Sequence, residues 1–276
     1  KSLKIAKITF NDLNSIAVTY GPGLLGSLIV GLNFAKGLSV GLNIPFIGIN
    51  HLEGHLYSSF MSGEKINFPF ICFLVTGGHT QIWEVKGFDD YILHSTSVDD
   101  AAGEAFDKGA RILGLGYPGG PEIEKKAKNG NPNFLKFTIP NVKNNPYDFS
   151  FSGIKTAILY KTQAMSEDDM RLNLHHIASS YQEVIIDTLL DRLNKVIKLT
   201  GLSDVSITGG VAANKRFRHK VGVLEEKNKL KCYFPDIKYC TDNAAMIAKV
   251  GFYKQKLGIN SSLTLQATPN LRLDES

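Results

Sequence analysis

A chain of 276 residues, 43% of them hydrophobic, can bury a sizeable core, which excludes a wholly disordered protein. The formal net charge of +5 is a mild basic excess that allows a polyanionic partner without requiring one. Three cysteines (Cys72, Cys232 and Cys240) form no CxxC pattern, which favours a reducing, cytoplasmic compartment. Apolar runs such as residues 69–75 are too short to cross a bilayer, so we expect no membrane partner.

Strand and helix signals alternate along the chain. In the first part, the patterns predict strand 15–19, helix 27–42, strand 45–50, helical spacing over 51–60, and strands 68–75 and 80–85 as a glycine-tipped hairpin. In the second part they predict helix 99–115, a loop-rich stretch over 116–152, helix 174–199, strand 205–208, a helix opened by Gly209-Gly210, and helix 244–256. This alternation indicates an α/β fold with sheets covered by helices on their faces.

Two histidines four residues apart, His51 and His55, would share one face of a helix, where their imidazoles can converge on a divalent ion. The alternative is a pair of surface histidines at a helix start. The pattern differs from the HExxH helix of zinc proteases, because the glutamate comes two residues after the first histidine. A third ligand has to come from elsewhere, and Asp242 is a candidate at a predicted strand end and helix N-cap. Asp242 could cap that helix, bind the metal ion, or do both.

Three glycine pairs follow strands or open helices, at Gly77-Gly78, Gly119-Gly120 and Gly209-Gly210. Glycines after a strand let phosphate or ribose approach the backbone N–H groups, although a single pair is ordinary turn chemistry. None of them matches the P-loop or the Rossmann dinucleotide pattern. Three such pairs in one α/β chain are more than isolated turns, but they describe neither a P-loop nor a Rossmann site.

Eight motifs together resemble the tRNA N6-adenosine threonylcarbamoyltransferases, formerly described as O-sialoglycoprotein endopeptidases, and they follow in that family's order. They are YGPGLLG (20–26), NHLEGH (50–55), LVTGGHT (74–80), DDAAGEAFDK (99–108), GYPGGP (116–121), FSFSGIKT (149–156), GGVAAN (209–214) and CTDN (240–243). The resemblance implies the actin, Hsp70 and sugar-kinase-like fold of two ribonuclease-H-like lobes.

The resemblance also implies a set of site residues. One divalent metal, iron or zinc, would lie on His51, His55 and Asp242, and no side chain has to become covalently attached. An adenine nucleotide, threonylcarbamoyl-AMP or ATP, would bind the remaining residues. These are Leu74, Val75, Thr76, Gly77 and Gly78 for the substrate, Asp107 and Gly120 for hydroxyls or phosphate, Glu124 as an acidic contact, and Asn214 for the adenosine. An i,i+4 pair with Arg111 is the alternative role of Asp107.

The family opens with a strand–turn–strand segment and a phosphate loop, which have no counterpart before Lys1. We therefore expect residues 1–67 to form the rest of the N-terminal lobe, without its first strands and completed by a C-terminal helix at 243–270. Residues 68–242 would form the C-terminal lobe, with a helical insertion at about 99–175. A fragment of this kind is expected to have little or no activity by itself.

The implied reaction moves a threonylcarbamoyl group to the exocyclic amine of the adenosine 3′ of the anticodon in ANN-decoding tRNAs. A dimerisation paralogue and an ATPase subunit would be partners, and a basic patch would contact tRNA phosphates unless it is merely a solvated helix face. The patch consists of Lys215, Arg216, Arg218 and Lys220. Two rivals stay open: the non-catalytic scaffold paralogue, which lacks the histidine pair, and a small-molecule O-carbamoyltransferase.

Overall fold

A computed structural model describes residues 1–63 and 65–275, except for the side chain of Glu275. The chain divides into two compact units. Unit 1 comprises Lys1–Gly63 with Asp242–Ser276, and unit 2 comprises Glu64–Thr241. The predicted α/β class is confirmed, because each unit combines a β-sheet with helices.

The described residues of unit 1 form a parallel two-stranded sheet and four α-helices. The strands are β1 (Ile16–Gly21) and β2 (Phe46–Asn50), and the helices are α1 (Ser2–Ala6), α2 (Leu25–Leu42), α3 (His51–Leu56) and α10 (Ala244–Lys256). Both strands and α10 agree with the sequence pattern. The helical spacing predicted over 51–60 is divided between α3 and a 3₁₀ turn at Ser58–Ser62.

The C-terminal tail packs on the sheet of unit 1. The predicted helix at 243–270 ends at Lys256, and Gly258 follows with φ of 76°, a left-handed conformation that terminates the helix. Further along, Ser261 donates its backbone N–H to Phe46 O, and Thr268 donates to Tyr20 O. The tail therefore contributes backbone hydrogen bonds to both strands.

Helix α2 corrects one expectation, because its 18 residues are long and apolar enough, by length and composition alone, to cross a membrane. Leu28, Leu32 and Ala35 form a buried stripe, and Gly31 lies against Val18 of β1. Core helices that pass the same test are mostly buried, whereas 22% of this helix is buried. Glycines, serines, Asn33 and Lys36 interrupt the apolar runs of this helix, so no uninterrupted run is long enough, whereas the average over all 18 residues still passes the test.

Unit 2 is built on a five-stranded sheet with the strand order β5-β4-β3-β6-β7. Its strands are β3 (Phe70–Val75), β4 (Thr80–Gly87), β5 (Asp90–Thr96), β6 (Asp204–Thr208) and β7 (Lys231–Tyr233). Strands β3 and β4 form the predicted antiparallel hairpin, whereas β6 runs parallel to β3. Every residue of β3 is buried, as expected for a central strand covered on both faces.

The described part of unit 2 also contains six α-helices: α4 (Ala102–Ile112), α5 (Gly119–Ala127), α6 (Ser152–Gln163), α7 (Glu167–Thr200), α8 (Lys215–Asn228) and α9 (Ile237–Cys240). The 34-residue α7 is the predicted longest helix, and it starts seven residues earlier than its apolar periodicity indicated because Ser166 caps it. Helix α5 was missed in the loop-rich stretch. Helix α6 and strands β5 and β7 were also missed, since their sequences are short or largely polar.

Candidate metal centre and substrate site

Strand β2 leads directly into α3, which carries both histidines of the predicted metal site. The side chain of Asn50, at the end of the strand, caps the helix by accepting the backbone N–H of Leu52 at 2.9 Å. His51 and His55 then lie one turn apart on the same face, with their ring centroids 4.9 Å apart. The short helix thus presents two imidazoles in a fixed relation.

Asp242 completes the cluster within unit 1. Its Oδ1 lies 3.3 Å from His51 Nε2 and 3.1 Å from His55 Nε2, and one ligand atom from each residue lies within 4.8 Å of the others. The predicted capping role was wrong, because Asn243 is the N-cap of α10 and accepts the backbone N–H of Met246. The preceding segment is the short helix α9, not a strand. Asp242 is therefore left to contact the histidines.

The electrostatics of this cluster suit a cation. Hydrogen bonds from His51 and His55 hold the pKa of Asp242 well below its usual range, so the carboxylate is ionised at neutral pH. Burial is the main cause that lowers the pKa of His55, which favours the neutral imidazole that a metal requires. His55 Nδ1 is buried without a hydrogen-bond partner in the described part of the chain. Two imidazoles and one carboxylate are a donor set typical of iron(II) and zinc.

The glycine pairs of unit 2 meet at one edge of its sheet. Because β3 and β6 are parallel, Gly77-Gly78 and Gly209-Gly210 follow the carboxyl ends of neighbouring strands. A Cβ on Gly209 would lie 2.3 Å from Val75 O, and its φ of 99° also favours glycine. A Cβ on Gly103 of α4 would lie 2.6 Å from Gly77 Cα. Only glycine fits these two close approaches.

Asp107, on α4, connects the third glycine pair, Gly119-Gly120, to the edge of the sheet where the other two pairs lie. Its Oδ1 accepts the backbone N–H of Gly119, at the start of α5, at 2.7 Å. No ion pair with Arg111 occurs among the described residues, so the alternative role of Asp107 is not observed. A Cβ on Gly119 would lie 2.6 Å from Asp107 Cα, which shows how closely α5 approaches α4.

The predicted substrate residues differ in what they can present to a ligand. Leu74 and Val75 are fully buried, so their side chains belong to the core. A Cβ on Gly77, Gly78 or Gly120 would meet no atom within 4 Å, so the backbone is open at these positions. The Thr76 Oγ1 accepts the backbone N–H of His79 and shapes the loop between β3 and β4.

Asn214 is the N-cap of α8, and the carboxylate of Glu124, on α5, reaches the start of the same helix. Glu124 Oε1 accepts the backbone N–H of Lys215 at 2.9 Å, while Asn214 caps α8 through Phe217 and donates to Gln182 Oε1. A cavity of about 580 Å³ lies beside them, and its lining includes Glu124, Gln182 and Lys215. Its size is within the range of small-molecule sites.

Most of the predicted basic patch has partners inside unit 2. Arg216 pairs with both carboxylate oxygens of Glu183, and Lys220 pairs with Glu183 and Asp187. Arg218 donates to the carbonyls of Ala212 and Pro235, and its guanidinium lies 4.4 Å from the ring centroid of Phe234. Lys215 is exposed. The basic run along the chain is thus not an array of free cations.

Asp99 was missed as a site-organising residue, although it opens one of the quoted motifs. Its carboxylate accepts from Ser150 Oγ, from the backbone N–H groups of Phe151 and Ser152, and from Ser152 Oγ. It thereby ties motif 99–108 to motif 149–156. The serines of the second motif, spaced two apart before a helix, were the available signal.

Comparison with known proteins decides the family. The family model described as tRNA N6-adenosine threonylcarbamoyltransferase matches residues 1–249. This chain belongs to that family. A relative of that name from Thermosipho africanus is 46% identical over 272 residues, which are 99% of this chain and 82% of the relative. One from Clostridium perfringens is 43% identical over 275 residues, which cover 100% of this chain and 81% of the relative. The resemblance inferred from the motifs is confirmed.

Solved structures support the fold of this family member. Full-length HypF in a phosphate- and nucleotide-bound form is similar with a TM-score of 0.67 at 13% identity, over 93% of this chain and 48% of HypF. HypF from T. kodakarensis also gives a TM-score of 0.67, at 14% identity, over 91% of this chain and 41% of that protein. At this identity the likeness concerns the fold alone, and it agrees with the actin, Hsp70 and sugar-kinase-like class.

Proposed function

We propose that this chain transfers the threonylcarbamoyl group from threonylcarbamoyl-AMP to the exocyclic amine of the adenosine 3′ of the anticodon in ANN-decoding tRNAs. The observation that carries the proposal is 43–46% identity to relatives of that name over nearly the whole chain. The convergence of His51, His55 and Asp242 favours it over the scaffold paralogue, which lacks the histidine pair. The same relatives favour it over a small-molecule O-carbamoyltransferase.

His51, His55 and Asp242 would hold one divalent ion, iron or zinc. When bound, such an ion supplies a Lewis acid that polarises and positions the carbamoyl group for attack by a weakly nucleophilic amine. His55 is suited to hold it because burial keeps its imidazole neutral. Asp242 exposes about three-quarters of its side chain, whereas His51 is largely buried and His55 almost fully buried, so solvent reaches the cluster mainly on the side of Asp242.

The glycine edge of unit 2 would bind the adenylate. Open backbone at Gly77, Gly78 and Gly120 can donate N–H groups to phosphate or carbonyl oxygens. Asp107, held by the N–H of Gly119, would accept from ribose hydroxyls. Glu124 and Asn214 would contact the adenosine part, for which the neighbouring cavity of about 580 Å³ offers room. Leu74, Val75 and Thr76 would act through their backbone and the shape of the loop.

We further propose that units 1 and 2 are the two lobes of the family fold and that the protein is cytoplasmic. tRNA would be its macromolecular substrate, with Lys215 as the member of the basic patch best placed to contact phosphate. A dimerisation paralogue and an ATPase subunit would be its protein partners. Helix α2 would provide a surface for one of these partners, because Val30 and Phe34 are about two-thirds exposed on the side of the helix away from its buried stripe.

Mass spectrometry of tRNA nucleosides tests the function. The chain, extended upstream through its own reading frame, is incubated with the partner subunits of its modification system, threonylcarbamoyl-AMP and an unmodified ANN-decoding tRNA, alongside a His55→Ala variant and a His94→Ala control of the same extended chain. His94 pairs with Glu84 in unit 2 and takes no part in the ligand cluster. We expect threonylcarbamoyladenosine from the unmodified chain and the control, and very little from His55→Ala. No product from the unmodified chain would contradict the proposal.

A further inference from the structure

A buried ion pair lies directly behind the ligand cluster of unit 1. Glu53, on α3 between the two histidines, is fully buried, and its Oε2 lies 2.9 Å from Lys254 Nζ of α10. The Lys254 side chain is itself only 10% exposed. Two charges are rarely removed from water in this way unless each neutralises the other, because an unpaired charge in the interior is strongly unfavourable.

Helical geometry separates Glu53 from the ligand face. A step of two residues turns an α-helix by about 200°, so Glu53 points away from His51 and His55. It faces α10, the helix that begins two residues after Asp242. Glu53 is therefore not a fourth ligand of the same ion, and its role has to pass through the contact between α3 and α10.

The same two helices are closely packed at Gly54 of α3, which lies against side chains of α10. A Cβ on Gly54 would lie 2.8 Å from Ile247 Cδ1 and 3.2 Å from Met246 Cγ. A larger residue at this position would press on α10, so the contact bears on the distance between the helix that carries the histidines and the segment that carries Asp242. The ion pair and the glycine contact thus fix the same spacing.

We propose that Glu53 and Lys254 are positioning residues that hold α3 against α10 so that His51, His55 and Asp242 converge on one ion. The inference rests on the metal site of the proposed function. Outer contacts that orient metal ligands typically change metal affinity by about 10–100-fold when they are removed. The pair should therefore affect metal binding beyond its effect on folding.

Cobalt(II) binding to the metal-free full chain tests the inference, because both its affinity and its visible spectrum report ligand geometry. The variants are Lys254→Met, which keeps the aliphatic chain, the double variant Glu53→Gln with Lys254→Met, and the conservative Lys254→Arg. Leu32→Ala is the matched control, since it opens a cavity in the core of unit 1 away from the ligands. Thermal unfolding of each metal-free protein is measured in parallel.

We expect Lys254→Met and the double variant to bind cobalt about 10–100-fold more weakly, with altered spectra. Lys254→Arg should bind like the unmodified chain. The double variant should regain thermal stability, because no buried charge is left unpaired, but it should not regain cobalt affinity. Should Lys254→Met fail to fold, the double variant carries the test.

Two results would overturn the inference: unchanged cobalt affinity and spectrum in the double variant, or an equal loss of affinity in Leu32→Ala. A His55→Ala variant distinguishes a wrong positioning role for Glu53 and Lys254 from a wrong assignment of the metal site. If His55→Ala loses cobalt while the double variant keeps it, only the positioning role is wrong. If His55→Ala binds cobalt normally, the metal site is wrong and the inference falls with it.

Discussion

Replacing Gly209 by alanine should disrupt the glycine edge of unit 2. The residue has φ of 99°, and a non-glycine residue in such a conformation costs about 1–3 kcal/mol. The new Cβ would also lie 2.3 Å from Val75 O and 2.6 Å from Val75 C, which forces strand β3 or the turn to move. Overpacking of that kind costs about 1–3 kcal/mol. We therefore expect Gly209→Ala to lower the free energy of unfolding of unit 2 by about 2–6 kcal/mol.

The neighbouring Gly210 provides the control for this prediction. A Cβ there would meet only Thr241 Cγ2, at 4.0 Å, and its φ is not positive. Gly210→Ala should therefore change stability by less than about 1 kcal/mol. Urea unfolding followed by circular dichroism measures both variants, and calorimetry with ATP shows whether the displaced turn weakens binding. Equal stability of the two variants would refute the inferred close approach of the turn to β3.

Two further predictions concern unit 2. Burial alone would raise the pKa of Glu183, but hydrogen bonds and charges from Arg216 and Lys220 outweigh burial and lower that pKa. The ionised Glu183 therefore stabilises the fold above the ordinary pKa of 4.5, and this stabilisation is lost as the pH falls below that value. Glu183→Gln should lower the free energy of unfolding by about 1–3 kcal/mol at pH 7 and by little in acid. Urea unfolding at several pH values measures this loss, and a loss that does not change with pH would contradict the prediction. Asn214→Ser keeps an N-cap oxygen for α8 but loses the donor to Gln182 Oε1, and it should weaken ATP binding in calorimetry. Unchanged ATP affinity would remove Asn214 from the adenosine site.

The sequence predicted those parts of the fold whose local signals agree with their tertiary setting. Strand β3 is a continuous apolar run and β6 is rich in β-branched residues, each is followed by a glycine pair, and they occur as buried parallel neighbours. Strand β5 was missed because it carries polar residues and lies at the sheet edge, where β4 is its one neighbouring strand in the part of the chain that the structure describes. Helix α5 was missed because its opening Gly-Gly-Pro resembles a loop, whereas contacts with α4 and Asp107 hold it in place.

The candidate site was predictable in its members but not in its contacts. The spacing of His51 and His55 indicates a shared helix face, and that face depends only on local geometry. The contact of Asp242 with both histidines depends on the packing of α10 against α3, which no local pattern encodes. The pairing of Arg216 and Lys220 with α7 was invisible for the same reason, since Glu183 and Asp187 are far away in the sequence.

Metal content is the most direct test of the account, because the proposed chemistry depends on one ion held by His51, His55 and Asp242. Elemental analysis is carried out on the unmodified chain, the three single alanine variants of these ligands and the His94→Ala control. We expect one equivalent of iron or zinc in the unmodified chain and the control, and strongly reduced content in each ligand variant. Equal metal content in all five proteins would contradict the proposed metal centre.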